Sequence, residues 1–359
     1  MEVKKNTNHK GFKIFVLLLL IGILFFMNKD NQIKVSQAYK SLTIREKDLE
    51  EIESISMNPE VDKLGLFDKN IAIWGKNKLS IVDINNNILL EKQFNFEEPD
   101  VVFGQKSSYI MDKSSGDVYI INSKGETIER VILEKEINNL VEDNDNIIVH
   151  TKHPDENLVF INSQGVFLRI HPIEDMKILT YSMDKDSEKY LISNLNIEDE
   201  LLSELHLYSI SGDLLDKIQI NNEIIIFTKF IDGDLIVLSD KCLYYIRDSK
   251  IYWKRTFSNI KDVLLNEEDI YILYGENLEG IDLEGKTINK FSFDRGYDKL
   301  KSFEDYIFVI GNNNLIAMQE DKKILNYSHH DSIDDIIVNK DYLAIIDDNS
   351  LNLYRIKNK

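Results

Sequence analysis

A ring of repeated all-β units, a β-propeller of four-stranded blades, is the fold class that three features of this sequence predict. Short apolar runs recur from residue 60 to 356, separated by turns of Asn, Asp, Gly and Lys. One strand-like segment returns eight times at a nearly constant spacing. Helical 3.6-residue periodicity is absent over the same stretch, which excludes helical repeats of similar length.

The elements follow in order within each unit. Runs such as Ile71–Trp74, Ile147–Val149, Leu235–Leu238 and Tyr306–Ile310 are continuously apolar, as strands buried on both faces are. A polar turn and a second strand come next, beginning at Leu79, Val118, Leu158, Leu205, Leu243, Leu278, Leu315 and Leu351, at intervals of 39, 40, 47, 38, 35, 37 and 36 residues. A third run follows a tight turn such as Asn122-Ser123-Lys124-Gly125 or Asp282-Leu283-Glu284-Gly285, where glycine supplies the positive φ of a hairpin. Runs ahead of each unit, such as Asp100–Phe103 and Lys261–Leu265, bring the count to four strands per repeat, the size of a propeller blade.

Eight second strands but seven third strands predict eight blades, with seven as the alternative and with one outer strand to be supplied from elsewhere. Ser41–Arg45 is the candidate closing strand. The acidic stretch 40–56 reads alternatively as a linker helix. The chain thus divides into a basic leader (1–13), an apolar segment (14–29), a linker (30–60) and the propeller domain (61–359).

The segment from Leu243 to Lys254, Leu-Tyr-Tyr-Ile-Arg-Asp-Ser-Lys-Ile-Tyr-Trp-Lys, resembles the repeat of the PQQ-like (quinoprotein-type) β-propellers, with its strand, Asp turn and closing tryptophan. The resemblance spans about 300 residues as a pattern. Trp253 is the only tryptophan at the closing position, and several copies lack the turn glycine. Quinoprotein dehydrogenases of that fold are longer and carry a tryptophan motif in most blades, a calcium site and a vicinal cysteine pair. This chain has a single cysteine, so the resemblance implies the scaffold without PQQ, and no cofactor is expected. The layout is also similar to uncharacterised single-pass propeller proteins of low-GC Gram-positive bacteria.

The address is read from the first forty residues. Ile14–Met27 is an unbroken apolar run behind Lys4, Lys5, Lys10 and Lys13, with Glu2 the only acid of the leader. It is short of the roughly 20 residues of an ordinary span, but snorkelling lysines at either end extend it. Positive charge stays cytoplasmic, so the reading is a signal anchor: a single transmembrane helix with the propeller on the extracytoplasmic side of the cell membrane. A cleaved signal peptide is the rival reading, with Ser36 and Ala38 at the cleavage spacing, about ten residues beyond the run. Against a net charge of −19, residues 1–27 carry +3, leaving −22 for the remainder. That charge excludes a nucleic-acid partner, which demands a basic face. With 43% hydrophobic residues, four prolines and one cysteine, the chain is neither disordered nor a disulfide scaffold.

Candidate site residues are sparse. His153 with Asp155, and the pair His329-His330, fall in loops expected on the top face, on opposite sides of the axis. The acidic clusters 142–146, 184–186 and 347–348 lack the glycine and terminal glutamate of an EF-hand loop, and Asp and Asn also serve turns. No metal site is expected. The long 47-residue interval holds residues 196–204, read as a short acidic amphipathic helix that carries Glu198, Glu200 and Glu204 into a top-face loop of the fourth blade. Cys242 sits in an apolar run as a buried small hydrophobe. With no G-x-S-x-G, P-loop, CxxC or H-E-x-x-H, enzyme activity is not expected. The expected function is a non-enzymatic, membrane-tethered scaffold that binds another membrane or cell-envelope protein. The alternative is a small-ligand or glycan sensor using the top face, and a propeller lyase is the third reading.

Overall fold

The computed structural model describes residues 44–359, except 57–60, 68–69, 84–86, 105, 155, 175, 198–199, 267–268, 295, 339–341 and 348–349. The apolar run Ile14–Met27 and the leader before it lie outside the described residues. The described chain forms eight four-stranded antiparallel sheets, and the strand order in seven of them is the chain order. These are the blades of a propeller: blade 1 spans 63–93, blade 2 99–132, blade 3 137–172, blade 4 178–221, blade 5 225–256, blade 6 260–292 and blade 7 299–328. Blade 8 takes three strands from 335–358 and its fourth from Lys47–Ser56. Within a blade we name the strands A to D from the axis outwards. First strands of neighbouring blades lie side by side, as Ile178–Met183 does beside Ile225–Ile231.

Burial explains the sequence pattern strand by strand. The continuous apolar runs are B strands, buried on both faces between neighbouring blades, and the eight aligned segments are C strands. Among the described residues there are eight buried apolar clusters, one in each gap between adjacent blades. Ala72, Trp74 and Leu79 pack on Val101 and Ile110 between blades 1 and 2. Phe160 and Leu158 meet Tyr190 and Ile192 between blades 3 and 4. Ile71 and Val82 meet Leu351 and Leu353 across the closure, between blades 8 and 1. A ring has no free sheet face, so every blade buries both sides.

Closure differs in detail from the sequence reading. The outer strand of blade 8 is Lys47–Ser56, antiparallel to Ser350–Asn358, and it begins two residues after the end of the predicted Ser41–Arg45. Its glutamates suggested a helix. Here they are cross-strand partners of a basic chain end: Glu50 lies 3.9 Å from Arg355 and 3.4 Å from Lys357, and Glu46 lies 3.8 Å from Lys359. Opposite charges facing one another on an edge pair favour strand over helix.

Antiparallel order gives the ring two unlike faces. B–C turns and D-to-A connections lie on one face, here the top. A–B and C–D turns lie on the other, the bottom. The chain reaches blade 8 at Lys47, opposite Asn358, so it joins the ring at the bottom.

The bottom turns also lock neighbours together. Trp253, the closing tryptophan of blade 5, stacks on Tyr245 at 5.7 Å and donates to the Leu283 carbonyl of the next blade at 2.9 Å. Gly165 turns at φ +81°, and a Cβ there would stand 2.5 Å from Glu129 Cγ of blade 2. Gly233 has a similar φ of +84° with open space around it. Gly165→Ala is therefore expected to cost about 2–3 kcal/mol and Gly233→Ala about 1 kcal/mol, measured by urea unfolding. Equal losses would show that the turn of blade 3 is not pressed against blade 2.

Candidate binding face

At the axis the A strands are stapled blade to blade. Lys63 donates to Asp100 at 2.6 Å and to the Val101 carbonyl at 3.0 Å. Lys301 repeats the pattern on Asp335 at 2.6 Å and on the Ile336 carbonyl at 2.9 Å. Asp262 accepts the Leu300 N–H at 2.7 Å. Each of these aspartates also accepts the N–H of the residue after it at 2.8 Å, which fixes its rotamer. A cavity of about 450 Å³ opens between the inner strands of blades 8, 1 and 2, walled by Val101, Val102 and Phe103. Of its charged lining residues Asp62, Lys63 and Asp335, the last two are held in ion pairs. Around the axis these contacts form a stapled collar.

Towards the top face blade 4 has the longest B–C hairpin among the described residues. Strands B, C and D there run eight residues each (Lys189–Asn196, Leu202–Ser209, Leu214–Asn221). The expected acidic helix is thus replaced by a lengthened hairpin. Leu202–Ser209 pairs on both sides, and Asn196↔Leu202 and Leu202↔Asn221 extend both ladders to its tip. The connection to blade 5 packs against this tip: Asn222 N–H donates to the Leu201 carbonyl at 2.7 Å, and Ser203 Oγ donates to the Glu223 carbonyl at 2.8 Å. Ile197 at the tip and Ile224 and Ile226 at the start of blade 5 are exposed. The ladder slips between Ile225 and Phe227, so Ile226 is bulged outward while Ile225 stays buried.

The predicted site residues are distributed as follows. His153 is exposed in the B–C turn of blade 3, and His330 is exposed in the connection from blade 7 to blade 8. The antiparallel order puts both on the top face, and nearly half the ring separates them. His329 is not a rim residue: it is buried, with Nε2 3.1 Å from Asp347, which also accepts from Ser350 and Asn352. That network fastens the inter-blade connection to the B–C turn of blade 8. Glu200 is exposed beside Ile197. Glu204 is buried and bonded to Lys217 at 2.7 Å and Gln219 at 3.0 Å, both within blade 4. Asp155 and Glu198 lie outside the described residues. Cys242 is buried with Sγ 3.4 Å from Thr256 Oγ1. Among the described residues no group of three or more His, Cys, Asp or Glu is placed to hold a metal ion.

Buried charges in the ring serve blade contacts. Burial alone would raise the Glu279 carboxyl. Donors at Thr287 (2.6 Å), Arg255 (2.6 Å) and Tyr274 (2.9 Å) outweigh it and hold the group below its usual range. A depressed native value contributes stability above the unfolded carboxylate pKa, and that stability is lost as pH falls through the native value. Glu279→Gln is expected to cost about 1–3 kcal/mol at neutral pH, with the deficit shrinking towards acid pH. Urea midpoints taken across the acid range check it, and a pH-independent deficit would contradict it.

Sequence reasoning missed the isoleucines at the blade 4–5 corner. The run Ile224-Ile225-Ile226 reads as a buried strand, but Ile224 precedes the strand and the bulge turns Ile226 to the surface. The model of a family of unknown function, DUF5711, matches residues 36–356. No curated protein matches the sequence. Among solved structures, the C-terminal WD40 domain of Sif2 is similar with a TM-score of 0.63 at 12% identity, covering 86% of this chain and 98% of that one. BamB from Moraxella catarrhalis is similar at 0.55 and 12% identity, covering 86% and 100%. A eukaryotic initiation factor is similar at 0.56 and 13% identity, covering 87% of each. Likeness at such identities shows the propeller fold.

Proposed function

We propose that this chain, which belongs to that family of unknown function, is a membrane-tethered scaffold held outside the cytoplasmic membrane that binds a protein partner through its top face and catalyses nothing. The observation that carries the reading is the polarity of the ring. The chain joins at the bottom, at Lys47, so a tether in residues 14–27 enters the ring on the face opposite the top and leaves the top free of it. The basic leader supports the extracytoplasmic side. The exposed isoleucines Ile197 of the blade 4 hairpin and Ile224 and Ile226 of blade 5 support a protein contact, because exposed aliphatic side chains on a rigid scaffold are what a docking segment buries. Glu200 beside Ile197, and the acidic surplus of the whole chain, suit a partner segment with aliphatic residues flanked by Lys or Arg.

The test is photo-crosslinking from position 226 in the full-length protein in native membranes, compared with Ile197→Asp/Ile224→Asp added to the same probe. A defined adduct at 226 that the double substitution removes, with the melting temperature unchanged, is the expected result. An adduct pattern indifferent to the two aspartates would overturn the top-face assignment. The enzymatic alternative is checked by turnover assays on glycan, lactone and peptide substrates, in which no loop-dependent activity is expected.

A further inference from the structure

The outer strands carry a periodic feature at the bottom rim that blade packing uses only in part. Leu168 and Ile324 join inter-blade clusters and Tyr252 donates to Glu284 of the next blade at 2.9 Å, while the others stand clear of the buried clusters. In each of blades 1–7 strand D gains one residue over strand C just after the C–D turn. In every case the extra residue is large and apolar. Leu89, Ile128, Leu215, Tyr252 and Ile288 are exposed, between 38 and 55%, Leu168 is half-buried with exposed Phe167 beside it, and only Ile324 is buried. A bulge on an edge strand protects against edge-to-edge pairing, and that role needs no hydrophobe. Here bulged apolar side chains run along six consecutive blades, on one rim, of an otherwise strongly acidic molecule.

The charge around this rim also departs from the rest of the chain. Segments 83–92, 123–130, 163–170, 210–217, 247–255 and 283–290 hold eleven Lys or Arg against eight Asp or Glu, a balance of +3 in a chain of −19. Four of those bases are bonded to carboxylates of other strands: Arg130 to Asp117, Lys217 to Glu204, Arg247 to Asp234 and Arg255 to Glu279. The rim is therefore close to neutral, with lysines flanking the apolar side chains. Apolar bulk flanked by basic residues is the chemistry of a phospholipid interface.

Where the chain leaves the ring selects the occupant. Lys47 lies on this same bottom face, and seventeen residues (30–46) separate it from the apolar segment. Fully extended they reach at most about 60 Å, so the tether keeps the rim within reach of the bilayer, and even a weak contact is then populated. We infer that the bottom rim of blades 1–6 rests on the phospholipid surface, seating the ring flat with its top face outward. This inference rests on the tether proposed above.

The experiment places a nitroxide on the full-length protein, in a Cys242→Ala background, at Leu89→Cys or Leu215→Cys on the rim and at Glu200→Cys on top. The protein is reconstituted in vesicles of phosphatidylcholine and phosphatidylglycerol. Flotation is measured first, because a protein that does not float lacks the tether, and both readings then fall. For protein that floats and keeps its melting temperature, oxygen collisions several-fold above those of a water-soluble nickel reagent are expected at both rim labels, and the reverse at Glu200→Cys. Water-like collisions at the rim would overturn the lipid contact while leaving the tether intact. Labels shielded from both reagents would overturn it too, in favour of a protein covering the rim.

Discussion

Deleting residues 47–56 from the full chain is expected to abolish the cooperative stability of the ring. The strand pairs at nine positions with the last strand of the chain, and Leu49 and Ile44 pack against the cluster of blades 7 and 8 around Leu343, Ile345 and Tyr354. At about 1 kcal/mol net per ladder hydrogen bond plus the apolar contacts, the loss is on the order of 5–10 kcal/mol, comparable with the whole stability of an ordinary domain. The deletion also leaves Ser350–Asn358 as an open edge carrying Leu353 and Tyr354, so the shortened chain should aggregate. Chemical unfolding and light scattering give the readout, and an unchanged denaturation midpoint would mean that the ring holds without its clasp. A synthetic peptide of 46–57 added in trans should recover part of the loss by strand addition. The same geometry has a functional consequence. The strand that closes the ring is the strand that leads to the tether, so any pull from residues before Lys47 is applied to the clasp.

The repeat was open to sequence reasoning because propeller packing writes itself into hydrophobicity. A B strand between two neighbouring blades is buried on both faces, and Ile147–Val149 or Leu235–Leu238 cannot be polar anywhere. Turn glycines such as Gly165 and Gly285 were legible for the same reason, since positive φ leaves few alternatives. The closing strand was harder. Lys47–Ser56 pairs with a segment about 300 residues away, and the basic residues that reward its glutamates become visible only once the ends meet. The hairpin of blade 4 failed similarly: acid density over 196–204 reads as a helix until pairing with 214–221 is known. The candidate site was legible only as a place. His329 carries the same residue type as a ligand-binding histidine, and its burial against Asp347 is not legible in the sequence. Local bulges, which set the exposure of Ile226 and of the rim, leave no trace in composition.

The second large effect is expected at Lys229, which is bonded to Asp143. This carboxylate stands where blade 3 meets its neighbours, accepting the Met183 N–H of blade 4 at 2.8 Å and the ammonium of Lys229 from blade 5. Burial dominates its ionisation and raises its pKa, with Lys229 and the Met183 N–H opposing. Lys229→Met would leave a buried carboxylate without its counter-charge, a change that costs about 3 kcal/mol or somewhat more at neutral pH. The sign of the pH dependence identifies the cause. A carboxyl whose native pKa is raised penalises folding as pH climbs through that value, and removing Lys229 raises it further. The Lys229→Met deficit should therefore be largest near neutrality and shrink as the medium is acidified. It should mostly vanish in Asp143→Asn/Lys229→Met, where an amide can still accept from Met183. Urea midpoints for the two single variants and the double variant, across the acid-to-neutral range, form the test. A deficit that stays constant with pH, or that persists in the double variant, would assign the role of Lys229 to the packing of its methylene stem and not to its charge. The outcome bears on the top face as well: Lys229 belongs to the same strand as Ile226, so the ion pair that ties blade 5 to blade 3 also fixes the strand that presents the proposed docking corner.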